Sequence, residues 1–326
     1  MNIEWLECVR WCHSNEDIDV VDAHIDALME LSRHSTYATP ILTRIRDIRD
    51  RRAAGYVILY PGALASIGNL RCDASDDKEQ DLLQMANLAK ELFSAAFDQG
   101  AEMIQAISLL IADRISNDVD SAFIPIDTKR DLMLKEAGMI PMAKLVQMEC
   151  MRIQDIPRLL VSESSWQLGQ IDFIPHHTIP SEGWGKLVES TYVETLDVPE
   201  LNGLRSVENT LAGYASTVCG VPQSWWIVRC NNTDIGCLLL APTTPGCCEL
   251  TYVGLQPEWR GKGISRIIMN FARDWALGNA PDGITLAVDL RNLPAIRLYQ
   301  ACGFTTQRFV QAWICFPNMP QSDSST

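Results

Sequence analysis

Short apolar runs separated by turn residues mark the second half of this chain. "SWWIVRC" (224–230) and "IGCLLLAP" (235–242) predict two strands joined by the turn "NNTD". "CCELTYVGLQP" predicts a third strand, stopped by Pro257. The period then changes: in "GISRIIMNFARDWAL" the residues Ile264, Ile267, Ile268, Phe271 and Trp275 fall on one helical face. "ITLAVDL" predicts another strand. In "NLPAIRLYQACGF" Asn292 is placed to cap a short helix, Pro294 sits in its first turn and Gly303 stops it. "QRFVQAWICF" predicts a last strand. Upstream, "GWGKLVESTYVETL" and "LRSVENTLAGYAST" predict two helices around "DVPELNG".

The first half repeats this order more faintly. "GYVILYPG" and "ALASIGNLRC" predict strands, "QDLLQMANLAKELFSAAF" a helix and "AEMIQAISLL" a strand. "MLKEAGM" (133–139) aligns without gaps on "LYQACGF" (298–304), and a strand-like run follows each. The expectation is two copies of one domain: residues 1–160, a linker at 161–169, a second copy at 170–318 and a disordered tail at 319–326.

With 47% hydrophobic and 21% charged residues, the chain suits a sizeable core. It has no apolar run long enough for a membrane span, and its start lacks the basic-then-apolar order of a signal peptide. A cytoplasmic location is expected. A formal charge of −14 argues against nucleic acid as a partner. It is compatible with amine substrates, although many acidic proteins are simply soluble. Eleven scattered cysteines fit free buried thiols. Cys8, Cys12 and His13 come nearest to a ligand cluster, but no second pair with ligand spacing follows, so no metal is expected.

The chemistry concentrates in "QPEWRGKGIS" (256–265), between a strand and a helix. A glycine-bearing loop there aims unpaired backbone N–H groups at one point, where the helix dipole also favours an anion. Arg260 and Lys262 add positive charge, and the combination suggests pyrophosphate binding. The spacing fits neither G-x-x-x-x-G-K-[ST] nor G-x-G-x-x-G.

Arg260, Gly263 and Ser265 stand where the GCN5-related N-acetyltransferase (GNAT) superfamily carries [RQ]-x-x-G-x-[GA]. Asn292, Ala295, Tyr299, Gly303 and Phe304 resemble its second signature, N-x-x-A-x-x-x-Y-x-x-x-G-F. Ser265 departs from the small apolar residue preferred there but keeps its N–H. The resemblance covers about 171–316, and with the fainter first copy it is similar to the tandem arrangement of mycothiol synthases. It implies an α/β (α+β) fold of two tandem GNAT-like domains, each a mixed, mostly antiparallel sheet flanked by helices.

The resemblance also implies roles. Backbone N–H groups of Arg260, Gly261, Lys262, Gly263, Ile264 and Ser265 would hold the pyrophosphate of acetyl-coenzyme A. Val253, Gly254 and Leu255 would pair with its pantetheine arm, and the Leu255 N–H would polarise the thioester carbonyl, a contribution of about 3–4 kcal/mol. Asn292 would bond the arm and Tyr299 would protonate the departing thiolate. Glu249 is the candidate base, since an alkylamine costs about 4 kcal/mol to deprotonate near neutrality. Regular alternation places Glu249, Thr251, Val253 and Leu255 on one face, lining the cleft or facing solvent. Glu194, Asp197 and Glu200 either bind an ammonium group or only solvate their loop.

The first copy has Leu134 where the second has Tyr299, and "RCDASDDKEQ" replaces the glycine loop with acids, so no coenzyme is expected there. The function implied is acetyl transfer from acetyl-coenzyme A to a primary amine by direct attack, in the second domain. A small-molecule amine is preferred to a protein amino group. The alternatives are a non-catalytic acyl-coenzyme A sensor and a pure interaction module. The oligomeric state is left open.

Overall fold

In the computed structural model the described residues are 4–34, 40–48, 51–112, 123–161, 169–215 and 224–317. Their contacts group them into two units, 1–142 with 311–326, and 143–310. The tail expected at 319–326 and most of the linker at 161–169 lie outside the described residues. Against the expected division, strand 140–151 counts mostly with the second unit and the end of the last strand with the first. The reason is pairing: each of these strands completes a sheet in the unit that it joins.

The first unit holds helices α1 (Glu4–Cys12) and α2 (Ile18–His34), strands β1 (Ile41–Ile48), β2 (Arg51–Tyr60) and β3 (Leu64–Cys72), and helix α3 (Lys78–Asp98). Strands β4 (Met103–Ala112) and β5 (Phe123–Pro125) and helix α4 (Thr128–Glu136) follow. Its sheet runs β1-β2-β3-β4, with β5 on β4 and the end of β12 (Thr305–Cys315) beyond β4. Alternation on β2 splits the core. Ala53, Val57 and Leu59 pack with α3, whereas Ala54, Tyr56 and Ile58 pack with α1 and α2. Trp313 closes the α3 side, and its indole N–H donates to Ser108 Oγ at 2.9 Å.

The second unit holds β6 (Ile140–Met151), β7 (Ile171–Pro175), α5 (Ser181–Ser190), α6 (Val207–Ala215), β8 (Ser224–Cys230), β9 (Thr233–Pro242) and β10 (Cys247–Leu255). Helix α7 (Ile264–Asn279), β11 (Gly283–Asp289) and α8 (Leu293–Ala301) follow. The strand order is β12-β6-β11-β10-β9-β8-β7. Helices α7 and α8 cover one face, with Ile264, Ile268, Ala272 and Tyr299 packed on Val228, Leu238, Leu250 and Leu286. Helices α5 and α6 cover the other, with Trp184 and Val188 packed on Trp225, Ile227 and Leu239. The predicted helix over 183–196 is shorter than expected and ends at Ser190, where the N–H of Thr191 turns back to the Val188 carbonyl.

The internal repeat has a physical counterpart. Helix α4 ends before Gly138 (φ +91°) and α8 before Gly303 (φ +84°), both in the left-handed region that glycine adopts without strain. The Met139 N–H bonds the Leu134 carbonyl at 2.9 Å, and the Phe304 N–H bonds the Tyr299 carbonyl at 3.0 Å. No helix among the described residues is long and apolar enough to cross a membrane.

Candidate active site

Strands β10 and β11 run parallel but pair only from Cys247↔Gly283 to Glu249↔Thr285; β11 continues instead along β6 to Asp289↔Leu145. The edge of β10 beyond Glu249 is therefore left without β11. On its other side β10 stays paired with β9 to Leu255↔Gly236, and the Gln256 N–H continues to the Ile235 carbonyl at 2.9 Å. Alternation then turns the Val253 and Leu255 N–H groups toward the vacated edge. Gly254 is required by what lies across from it, because a Cβ there would stand 2.6 Å from Thr191 Oγ1 and 2.7 Å from the Tyr252 hydroxyl.

The register of β10 against β9 slips between Leu250 and Tyr252, leaving Thr251 as an extra residue. This bulge corrects the expected facing. Leu250, Val253 and Leu255 pack toward α7 and α8, and Tyr252 packs toward α5 and α6. Glu249, opposite to Cys248 and Leu250, shares the face of Tyr252 rather than that of Val253 and Leu255. Six residues of strand, about 20 Å, separate Glu249 from Leu255, so the two do not meet at one reacting atom. The bulge at Thr251 lies only two residues from Glu249.

The Glu249 carboxylate makes no hydrogen bond or ion pair among the described residues, and burial raises its pKa above the ordinary value. Around it on that face the Tyr252 hydroxyl bonds Thr191 Oγ1 at 2.9 Å, and the Tyr192 ring meets Tyr252 edge-on at 5.3 Å. Tyr214 stacks on Tyr252 at 6.0 Å. Sequence reasoning passed over this tyrosine cluster, because residues 192, 214 and 252 come together only when α5 and α6 cross the sheet.

At the other end of β10, the loop 256–265 forms as its glycines predict. Gly261 (φ +72°) and Gly263 (φ +79°) both take the left-handed region, and Gly263 caps α7. The N–H groups of Gly261, Gly263, Ile264 and Ser265 have no hydrogen-bond partner among the described residues. They make a concave donor set at the positive end of a 16-residue helix. Lys262 extends over the Trp259 ring at 5.2 Å.

Arg260 plays a different part from the one expected. Its N–H donates to the Pro257 carbonyl at 3.1 Å. Its guanidinium donates to the carbonyls of Leu255 (3.0 Å), Thr191 (3.0 Å), Val193 (2.7 Å) and Glu194 (2.8 Å). It ties the end of β10 to the segment after α5 and offers an anion only its field. Arg260→Lys removes the planar fork and should lower stability by about 2 kcal/mol. A fall in the urea midpoint at unchanged m-value is the check.

The same segment is clamped again beside α8. Asp289, only 1% exposed, accepts the Val198 N–H at 3.2 Å and the Arg291 guanidinium at 2.6 Å. The Asp289 N–H donates to Asp197 Oδ1 at 2.9 Å, and Arg291 pairs with both oxygens of Glu200 at 2.5 and 2.8 Å. Asp197 and Glu200 thus hold the loop, while the Glu194 carboxylate is exposed and makes no such bond among the described residues. Val198 is held at φ +42°, a strained value for a β-branched residue.

Asn292 caps α8, its side-chain oxygen accepting the Ala295 N–H at 3.3 Å, which leaves the amide NH2 to donate elsewhere. Tyr299 is buried in the core of α7 and α8, and its hydroxyl makes no hydrogen bond among the described residues. Burial first, then the neighbouring Asp197, raises its pKa, so it stays protonated. In the first unit the corresponding helix start is filled from within: Asp77 accepts the Gln80 N–H at 3.0 Å and Asp81 accepts the Ser75 N–H at 2.9 Å.

Residues 195–304 match the acetyltransferase (GNAT) family model, from the clamped loop through the end of α8. A streptothricin acetyltransferase of Escherichia coli is 34% identical over 71 residues, 22% of this chain and 41% of that protein, so the match spans about two fifths of that curated relative. Two solved structures share the fold at low identity. One is a tandem GNAT protein of the clavulanic acid biosynthesis pathway (TM-score 0.53, 12% identical, 97% of this chain and 94% of that one). The other is a GCN5-related N-acetyltransferase of Sphaerobacter thermophilus (TM-score 0.51, 16% identical, 82% and 78%). The segment 195–304 of this chain is thus similar to the GNAT family, and the fold of the chain is like that of a tandem GNAT protein.

Proposed function

We propose that the second unit transfers an acetyl group from acetyl-coenzyme A to a primary amine by direct attack. The observation that carries this reading is the pairing of a vacated strand edge with a cradle of four unengaged N–H groups at the start of α7. The coenzyme supplies an acyl thioester, a pantetheine arm and a pyrophosphate. Val253, Gly254 and Leu255 would pair with the arm along the free edge of β10, and the Asn292 amide would donate to it. Gly261, Lys262, Gly263, Ile264 and Ser265 would hold the pyrophosphate, beside Arg260 as the splint of the loop. Tyr299 would give its proton to the departing sulfur.

Glu249 would accept the amine proton, directly or through a water, from the tyrosine-lined face. The backbone at the Thr251 bulge is the nearer candidate for polarising the carbonyl, given the distance from Glu249 to Leu255. The acceptor is a small-molecule amine in this reading. The first unit binds no coenzyme, since its own carboxylates occupy the equivalent helix start.

Calorimetric titration of acetyl-coenzyme A into the full chain, followed by thiol release with a panel of amines, tests the proposal. One site per chain and turnover with an amine are expected. Binding without turnover on any amine would indicate an acyl-coenzyme A sensor, and absence of binding would overturn the reading.

Glu249→Gln separates two effects of one side chain. As the base it must be ionised, so its loss should lower kcat by about 100-fold. Because folding raises its pKa, the native state favours the protonated carboxyl. That contribution is complete below the ordinary glutamate range and is lost as pH rises through the folded value. The variant should therefore melt higher than the wild type at pH 8 and no higher at pH 4. Equal melting at both pH values would show that Glu249 is solvated.

A further inference from the structure

A second cleft, of about 370 Å³, opens in the first unit between the α1–α2 turn and the end of β3. His13 and Glu16 line it from the turn, and Asn69, Arg71 and Asp73 line it from the strand. Alternation places residues 69, 71 and 73 on one face, with about 6.6 Å between successive Cα atoms of the set. Nothing in the acetyl-transfer reading uses these residues.

The wall behind the cleft is built of ordered polar groups. The Tyr56 hydroxyl, on a residue 1% exposed, lies 2.8 Å from Nε2 of both His13 and His24. His13 Nδ1 lies 2.7 Å from Glu16 Oε1. One assignment of protons satisfies the whole chain. His13 donates to Glu16 and accepts from Tyr56, and Tyr56 accepts from His24. Glu16 keeps one carboxylate oxygen uncommitted.

Charge is divided within the cleft. The guanidinium groups of Arg71 and Arg52 lie 5.2 and 5.3 Å from the centre of the same Trp11 ring. One terminal nitrogen of Arg71 donates to the Trp11 carbonyl at 3.2 Å and to Ser14 Oγ, and the rest of its fork makes no bond among the described residues. Arg52 Nε is buried without a partner. Two residues along the strand, Asp73 accepts the Arg52 N–H at 2.7 Å through one oxygen, leaving the other. A pure anion would meet Glu16 and Asp73, and a pure cation would meet Arg71. The described residues contain no group of three side chains suited to a metal ion.

We propose that this cleft binds a small zwitterion of the α-amino-acid type, its carboxylate on Arg71 and its ammonium on Asp73 and Glu16. The fork of Arg71 suits a carboxylate, and Asp73, two residues on along the same face, sets an acid beside it for the ammonium that an α-amino acid carries on the same carbon. The site is separate from the acetyl-transfer chemistry and stands whether or not that reading holds.

The test is calorimetric titration of the full chain with individual L-α-amino acids, and with ethylamine and acetate as the two half-molecules. At least one amino acid should bind with one site, and each half-molecule should bind about tenfold more weakly or worse. Asp73→Asn and Arg71→Lys should each weaken the amino acid by about tenfold while leaving acetyl-coenzyme A titrations unchanged. Arg71 also ties down α1, so Asp73→Asn decides the matter if the Arg71 variant melts early. No binding by any amino acid at millimolar concentration, equal binding of a half-molecule, or an unaltered Asp73→Asn would overturn the proposal.

Discussion

Replacing Gly263 by glutamate should weaken acetyl-coenzyme A binding by at least about 100-fold. Two physical effects act together. The residue sits at φ +79°, where a side chain costs about 1–2 kcal/mol. The larger effect is electrostatic. A carboxylate introduced among the N–H donors of residues 261–265 fills the cradle with the charge that the pyrophosphate would bring. At about 4 Å and an effective dielectric near 20, two such charges repel by roughly 4 kcal/mol, and each 1.4 kcal/mol is about tenfold in affinity. Gly263→Ala is the control, since it carries the backbone strain without the charge. It should lower stability by about 1 kcal/mol and alter affinity by less than tenfold. If calorimetry finds glutamate and alanine equivalent, the loop does not cradle an anion.

Tyr299→Phe should lower kcat by about 100-fold while leaving acetyl-coenzyme A affinity within about twofold. The ring is buried in the core, and phenylalanine fills the same volume, so the fold is kept. Only the hydroxyl is lost, and no described group depends on it for a hydrogen bond. Burial and the neighbouring Asp197 keep that hydroxyl protonated, the state an acid needs. A thiol pKa near 8.5 makes the proton matter most below that pH. The defect should therefore shrink as the reaction is run at rising pH. A constant defect across pH, or a loss of affinity equal to the loss of kcat, would assign Tyr299 to packing.

These two residues were legible because they belong to local patterns. The loop "WRGKGIS" follows an apolar strand and precedes a run of helical period, and a left-handed glycine before a helix needs only its immediate neighbours. Tyr299 stands four residues before Gly303, and the same Schellman-type turn closes both α4 and α8. Strands β8, β9, β10, β11 and β12 fall on the predicted runs, since a short apolar run between turn residues is a local signal. Strands β1 and β7 were not anticipated, because short segments with mixed polarity give weak periodic signals, whereas the 17-residue α2 carries Val21, Ile25 and Leu28 at helical spacing and was legible.

Other features depended on partners far away in the chain. A single extra residue at Thr251 moved Glu249 to the face opposite Val253 and Leu255, and a bulge has no fixed sequence mark. Arg260 reads as a phosphate ligand beside its glycines, yet carbonyls more than 60 residues upstream take its guanidinium. Asp197 and Glu200 read as exposed acids but hold a loop through Asp289 and Arg291. The hydrogen-bonded trio His13, Tyr56 and His24 spans a turn, a strand and a helix and shows no motif at all.

By itself, then, the sequence determined the glycine cradle, the capped helix bearing Tyr299 and the duplication, because backbone conformation and hydrophobic period are set by residues within a turn or two. The tertiary structure alone decided which charges are spent inside the fold and which remain for a ligand. A side chain's hydrogen-bonding capacity is finite, and its partners are chosen by packing rather than by neighbours in sequence.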